Sequence, residues 1–194
     1  VGNSFKDAIP EIEDYVKVVD NGEVVTEINN QPLKIEKVFF ASGSFFTLFT
    51  YPLASGNAAT ALTEPFTMAI SETTARKIFG NANAVGKTLQ LNRRDNYTIT
   101  AVYKDAPVNT QLKPDMLLSY ATFVKRNTND DGSTPETAWL WDGCLTYLLL
   151  RSDANPAAVE KKFIPIVEKE VSSALKKVGF EVTDKVAVTY QLQK

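Results

Sequence analysis

The stretch Leu62–Pro107, LTEPFTMAISETTARKIFGNANAVGKTLQLNRRDNYTITAVYKDAP, decides how this chain folds. A short apolar run ends at Ser71, a residue type that commonly caps the first turn of a helix. Gly80 predicts the end of that helix, because glycine readily adopts the left-handed conformation that follows a helix. Two strand-like runs, Thr88–Asn92 and Tyr97–Lys104, then flank a charged turn. The stretch therefore predicts a strand, a helix and a β-hairpin that fold as one unit.

Within this predicted helix, apolar side chains recur at the spacing of one helical face. Ala75, Ile78 and Phe79 stand at positions i, i+3 and i+4. We expect this face to pack on the neighbouring strands, with Phe79 as its main core residue.

The segment that follows the helix has some features of a phosphate-binding loop. That motif needs four residues between its glycines, a strand before it and a helix after it. Here five residues separate Gly80 from Gly86, a predicted helix precedes the segment, and a predicted strand follows Lys87. The sequence therefore predicts a helix end and a turn rather than a nucleotide site.

Composition argues against several classes of function. Of the 194 residues, 44% are hydrophobic and 23% are charged, which is typical of a globular domain. The formal net charge is −2 with both signs interspersed, so nothing favours nucleic-acid binding. There is no histidine and only one cysteine, Cys144, so the usual base for a nucleophile and the four ligands of a structural zinc site are missing. We predict no catalytic residue, no metal site and no cofactor.

Turn signals and apolar periodicity divide the N-terminal part of the chain. The motif Asp20-Asn21-Gly22 indicates a tight turn, so the residues around it are predicted to form a hairpin. A second turn is predicted at Asn29–Pro32. The predicted elements are a helix at Ser4–Asp14, strands at Tyr15–Val19, Val24–Ile28 and Leu33–Ala41, and a short helix at Ser42–Thr50.

The C-terminal part is predicted to contain several strands and one long helix. The pair Asn155-Pro156 is typical of a helix start, and Gly179 of its end. Leu145–Leu150 is almost wholly apolar, which predicts a central strand or one covered on both faces. Further predictions are a strand at Asp115–Ser119, a helical turn at Tyr120–Lys125, an exposed loop at Asn127–Thr137, and strands at Phe180–Val182 and Val186–Gln193.

Two tryptophans, Trp139 and Trp141, flank Leu140. On a strand they would share one face, which would either pack in the core or form an exposed ledge for a partner or cargo. The apolar residues that follow favour the core. If the face is exposed, Trp139 and Trp141 are the candidate contact with a partner or cargo.

Several segments carry a family resemblance. They are FFASGSFFTLFTYPLASGNAATAL from Phe39, PFTMAISETTARKIFG from Pro65, AVGKTLQL from Ala84, and YTITAVYKDAPVNTQLKPDMLLSY from Tyr97. Together they resemble the extracytoplasmic core domain of MacB-like permeases, members of the FtsX superfamily of ABC transporters. The resemblance is good from about Phe39 to Tyr120.

The element pattern predicts an α+β architecture with an antiparallel or mixed sheet. The resemblance implies two lobes. A porter-like lobe of β-α-β units would comprise residues 1–53 and 113–194, and an inserted, sabre-like lobe with the strand, helix and hairpin would comprise residues 54–112. In that family the domain lies between the first and second transmembrane helices. We therefore expect membrane helices next to Val1 and Lys194, and both chain ends on one side of the fold.

The resemblance also implies a function. The chain would be the periplasmic domain of an inner-membrane permease, in which ATP hydrolysis on a cytoplasmic ATPase subunit or domain is coupled through transmembrane helices to movement outside the membrane. Its partners would be that ATPase, a second permease copy, and a periplasmic adaptor or cargo, but no nucleic acid. One alternative is a stand-alone periplasmic ligand-binding or adaptor domain. Another is a carboxylate-based hydrolase, which needs two convergent acids.

Overall fold

A mixed sheet of eight strands runs through the residues that this computed structural model describes, namely 1–107, 109–180 and 192. The chain divides into a terminal unit, Val1–Tyr15 with Thr128–Lys194, and a central unit, Val16–Asn127. This is the α+β fold class that the sequence predicts. The expected lobe boundaries near residues 53 and 113 both fall inside the central unit, and the division into lobes stays a prediction.

The helices and strands have the following bounds. The strands are β1 (Ile12–Ile28), β2 (Gln31–Ala41), β3 (Leu53–Gly56), β4 (Thr67–Ser71), β5 (Thr88–Leu91), β6 (Asp95–Tyr103), β7 (Met116–Ser119) and β8 (Leu145–Leu150). The helices are α1 (Gly2–Ala8), α2 (Phe45–Leu48), α3 (Glu72–Phe79), α4 (Tyr120–Arg126) and α5 (Pro156–Lys177), with a short 3-10 helix at Pro135–Thr137. None of these helices has the length and the apolar composition needed to cross a membrane.

The strands of the central unit follow the order β3-β6-β4-β7-β2-β1, and β5 pairs with β6. β2 pairs with β7 and β4 with β6 in parallel, whereas the pairs β1–β2, β4–β7, β3–β6 and β5–β6 are antiparallel. Apolar side chains from the middle strands form the core, and the largest of them are less than 2% exposed. They include Met68, Ile70, Ile99, Met116, Leu117 and Leu118.

The predicted strand–helix–hairpin unit is present, with one error in the helix. The Ser71 side chain accepts a hydrogen bond from the Thr74 N–H at the start of α3, and Gly80 follows its end with φ 62°. The buried residues of α3 are Thr74 and Ile78, whereas Phe79 is only partly buried. The expectation that Phe79 is the main core residue is therefore wrong, because the helix is rotated to bury Ile78.

The predicted N-terminal hairpin around Asn21 is also wrong. β1 continues from Ile12 to Ile28, and its register against β2 shifts on either side of Gly22. Gly22 has φ 72°, and its N–H donates to the Asp20 carboxylate at 2.7 Å. The turn signal produces a bulge because pairing with β2 holds both halves of β1 in one strand.

In the terminal unit, α1, α5 and β8 enclose a separate apolar cluster. The Phe5 ring stacks on Phe163 with 4.3 Å between centroids, and Val159, Val167 and Val171 lie in the same cluster. The predicted start of α5 is confirmed, since the Asn155 side chain accepts hydrogen bonds from the two backbone N–H groups at 157 and 158. The first helix ends at Ala8, earlier than predicted, because the chain then enters β1.

The prediction that β8 is covered on both faces is wrong, and the alternative that it is a central strand stays a prediction. Leu148 and Leu150 pack against the apolar cluster of the terminal unit. Leu145 and Leu149, which alternate with them, are 61% and 41% exposed. Among the described strands β8 stands last in the sheet, next to β1. One face of β8 is thus covered and the other is open, which an apolar run alone does not distinguish.

Two expectations lie outside the described residues. The predicted C-terminal strands, apart from Phe180 and Leu192, belong to the part of the chain that is not described. The position of Lys194 relative to Val1 is likewise outside it. Both stay predictions.

Replacing Ile78 with alanine should destabilise the domain by about 2–5 kcal/mol, because it removes a buried side chain and leaves a cavity. Ile78 is 7% exposed. Phe79→Ala on the same helix is the matched control and should cost less, since its ring is partly in solvent. Urea unfolding of both variants measures the difference. A larger loss of stability for Phe79→Ala would contradict the orientation of α3.

Candidate functional site

The glycine-rich segment after α3 has the geometry of a helix end followed by a turn. Gly80 and Gly86 have φ 62° and φ 87°, and Thr88 begins β5. The order of helix, turn and strand is the reverse of a phosphate-binding loop. The Lys87 ammonium lies 4.5 Å from the centre of the Phe79 ring. In the described part of the chain, no group of three or more His, Cys, Asp or Glu side chains is placed to hold a metal ion.

The two tryptophans lie between the 3-10 helix and β8, and neither belongs to a strand. Trp139 is 6% exposed and meets the Phe5 ring edge to face, with 5.9 Å between centroids. The core interpretation is confirmed for Trp139. It does not share an exposed strand face with its neighbour.

Trp141 is the member of the pair that solvent reaches. Its indole covers Gly143 so closely that a Cβ on this glycine would lie 2.5 Å from a ring atom. The side chain is therefore held against the backbone of its own loop. A role for Trp139 and Trp141 in contact with a partner or cargo stays a prediction.

The central unit contains a groove that the sequence analysis did not identify. It lies between the second half of β1 and the strand β5, and its volume is about 670 Å³. The two walls are not paired with each other among the described residues. The lining residues are Val25, Thr26, Glu27, Asn29, Asn30, Pro32, Thr88, Leu89, Gln90, Asn92 and Arg93.

Two tight turns position these walls. Asn29 and Asn30 connect β1 to β2 with φ 50° and 61°, the turn class that matches the twist of a hairpin. Asn92 and Arg93 have φ 53° each and begin the turn between β5 and β6. Asparagine tolerates this left-handed conformation better than most residues. Both turns were predicted from the sequence, although their proximity was not.

One end of the groove is closed by contacts between β1 and the turn that begins at Asn92. The Asn92 N–H donates to the Val25 carbonyl at 2.7 Å, and the Val25 N–H donates to Asn92 Oδ1 at 2.8 Å. Arg93 Nε donates to Glu27 Oε1 at 2.7 Å. The Arg93 side chain is 84% exposed, so this ion pair adds little stability. The asparagine contact is therefore the main connection across the groove.

A partly buried arginine, Arg126, fixes β6, the strand that pairs with β5 in the hairpin. Arg126, at the end of α4, forms an ion pair with Asp95 at the start of β6. Its guanidinium lies 5.5 Å from the centre of the Tyr97 ring and 6.0 Å from that of Phe66. Burial raises the pKa of Tyr97 to about 12, against the opposing effect of the Arg126 charge. These contacts hold β6, and with it the β5 wall, against α4.

A family model described as the MacB-like periplasmic core domain matches residues 2–166. No curated protein sequence matches the chain. Several solved structures share its fold, among them the following three. A domain described as part of a permease protein from Porphyromonas gingivalis has a TM-score of 0.70 and 24% identity, covering 93% of this chain and 74% of that one.

The periplasmic region of MacB from Actinobacillus actinomycetemcomitans has a TM-score of 0.65 and 15% identity, covering 93% of this chain and 82% of that one. The extracellular domain of the noncanonic ABC-type transporter YknZ from Gram-positive bacteria has a TM-score of 0.61 and 12% identity, covering 88% of this chain and 81% of that one. At these identities the likeness shows the fold.

Substituting Asn92 tests the connection across the groove. Asn92→Gly keeps the left-handed turn but removes the oxygen that accepts the Val25 N–H, so stability should fall by about 0.5–1.5 kcal/mol. Exchange of the Val25 amide hydrogen, followed by NMR, should become faster. Asn92→Asp is the matched control, because it keeps an acceptor oxygen and should leave that amide protected. Unchanged Val25 protection in Asn92→Gly would contradict the contact.

Proposed function

Since the chain belongs to the family of MacB-like periplasmic core domains, we propose that it is the part of an ABC transporter permease that transmits movement to a partner or cargo outside the membrane. The match of the family model to residues 2–166 is the observation that carries this proposal. The family is one of transporter permease domains and not an enzyme class. ATP would be bound and hydrolysed by a cytoplasmic ATPase subunit or domain, and the chain would lie in the periplasm of an inner-membrane protein.

The terminal unit is where movement from the membrane would enter. It contains both the N-terminal segment Val1–Tyr15 and the segment that begins at Thr128. Helices α1 and α5 are joined by the stacked rings of Phe5 and Phe163. A displacement of α1 would therefore carry α5 with it, because close-packed side chains deform little. Transmembrane helices attached to this unit would move it as a rigid body.

The partners of such a permease are the ATPase, a second permease copy, and an adaptor or cargo outside the membrane. The described surface offers two contact regions for the last of these. One is the segment around Trp141, which also carries the exposed residues Leu140 and Leu145 at 51% and 61% exposure. The other is the groove between β1 and β5. The same groove is the feature that favours the alternative, a stand-alone periplasmic ligand-binding or adaptor domain.

Hydrogen–deuterium exchange on the full-length permease with its ATPase, in lipid nanodiscs, tests the coupling. Trapping the ATPase with ATP, magnesium and vanadate should change amide protection in α1 and α5 relative to the nucleotide-free complex. The matched control is a complex whose ATPase lacks its catalytic carboxylate and is given ADP. If the ATPase hydrolyses ATP while amide protection in this domain stays constant, the proposal fails. The result would then favour the alternative, a stand-alone ligand-binding or adaptor domain.

The isolated domain should not bind ATP with magnesium, because the order of elements around Gly80 and Gly86 is wrong for a phosphate-binding loop. Isothermal titration calorimetry measures this directly. Lys87→Ala is the control, and it should titrate like the parent. Micromolar binding that disappears in Lys87→Ala would show that the segment holds a nucleotide after all.

A further inference from the structure

The strands of the central unit come close to forming a closed barrel. They follow one another in the order β5-β6-β4-β7-β2-β1, and the first and last of this series, β5 and β1, form the two walls of the groove. Among the described residues, the hydrogen bonds across this gap are those of Asn92 with Val25 and of Arg93 with Glu27. A closed barrel has no free strand edges. Here one seam is left open.

Backbone groups on both sides of the seam point into it. The Thr98 N–H donates to the Phe66 carbonyl, on the side of β6 away from β5. Thr88 lies opposite Thr98, so its own backbone groups face away from β6, and those of Gln90 do the same two residues later.

On the other wall, the Val25 N–H and carbonyl bind Asn92 across the seam. The backbone groups of Glu27, two residues further along β1, point the same way. None of the backbone groups of Thr88, Gln90 and Glu27 that face the seam is bonded within the described residues. The seam therefore presents donors and acceptors from both of its walls.

The floor of the seam contains a buried polar group. The Thr26 side chain lines the groove and is 2% exposed. Beside it lies Leu89, which is 6% exposed. The floor of the seam is therefore formed by two side chains that solvent hardly reaches.

We propose that this seam binds an extended peptide segment of a partner protein, which adds as a strand to the free edge of β5. The spacing of the outward groups of Thr88 and Gln90, two residues apart on one strand, is the spacing at which an extended backbone repeats. The charges at the rim, Arg93 and Glu27, neutralise each other, so the seam favours an uncharged peptide.

This inference goes beyond the proposed transport function and does not require it. The hydrogen-bonding groups belong to the central unit alone, and binding can be measured on the present chain. Peptide binding without nucleotide-dependent movement would leave the inference standing and the coupling proposal refuted. Nucleotide-dependent movement without peptide binding would refute the inference and leave the coupling proposal standing.

The test uses a phage-displayed random library of peptides of about seven residues, the length of a typical strand. Selected peptides are then measured by fluorescence polarisation on three forms of the chain. Gln90→Pro removes the N–H that faces the seam but no hydrogen bond to β6, and proline is tolerated in edge strands at such positions. Its affinity should fall by about three- to tenfold, the effect of losing one hydrogen bond. Gln90→Ala keeps the N–H and should bind like the parent.

A second readout does not depend on the proline variant. In the parent chain, binding of a selected peptide should slow exchange of the Thr88 and Gln90 amide hydrogens, as followed by NMR. Failure to select any binding peptide, or binding that leaves these amides unprotected, would overturn the proposal. Sedimentation of the parent as a dimer and of Gln90→Pro as a monomer would also overturn it, because the occupant would then be a second copy.

Discussion

The central unit depends on one short strand that is buried on both faces. All four residues of β7, Met116–Ser119, are buried, and β7 pairs with β2 on one side and β4 on the other. Two backbone hydrogen bonds hold its entrance, from the Ser71 N–H to the Asp115 carbonyl and from the Asp115 N–H to the Lys37 carbonyl. Because β2 and β4 are fixed through β7, the elements that extend from them, β1 and α3, are fixed as well.

Local signals in the sequence predicted the elements around β7, and non-local contacts account for the errors. Ser71 and Gly80 bound α3 as predicted, since capping depends on neighbouring residues only. The hairpin predicted around Asn21 is wrong, because pairing of β1 with β2 on both sides of Gly22 overrides the local preference for a turn. The apolar run of β8 did not reveal which of its faces is covered, since a run of leucines carries no period-two signal.

The candidate site was harder to predict than the fold for a physical reason. Aromatic pairs such as Trp139 and Trp141 stand out in a sequence, but one of them is part of the core. The seam is defined mostly by backbone groups, which every sequence has, and by a contact between Val25 and Asn92 across 67 positions. A signal was present in the two left-handed turns at Asn29 and Asn92, but only the sheet topology shows that they face the same groove.

The open seam is held open by the surrounding structure. Leu89 and Leu91 are buried, and β5 is paired to β6, which the ion pair of Asp95 with Arg126 fixes to α4. β1 is held from the other side by its long pairing with β2. These contacts hold each wall in place, so the strand edges are arranged before any ligand arrives. A peptide that adds to β5 therefore does not have to order its receptor, and less of its binding free energy is lost to conformational entropy.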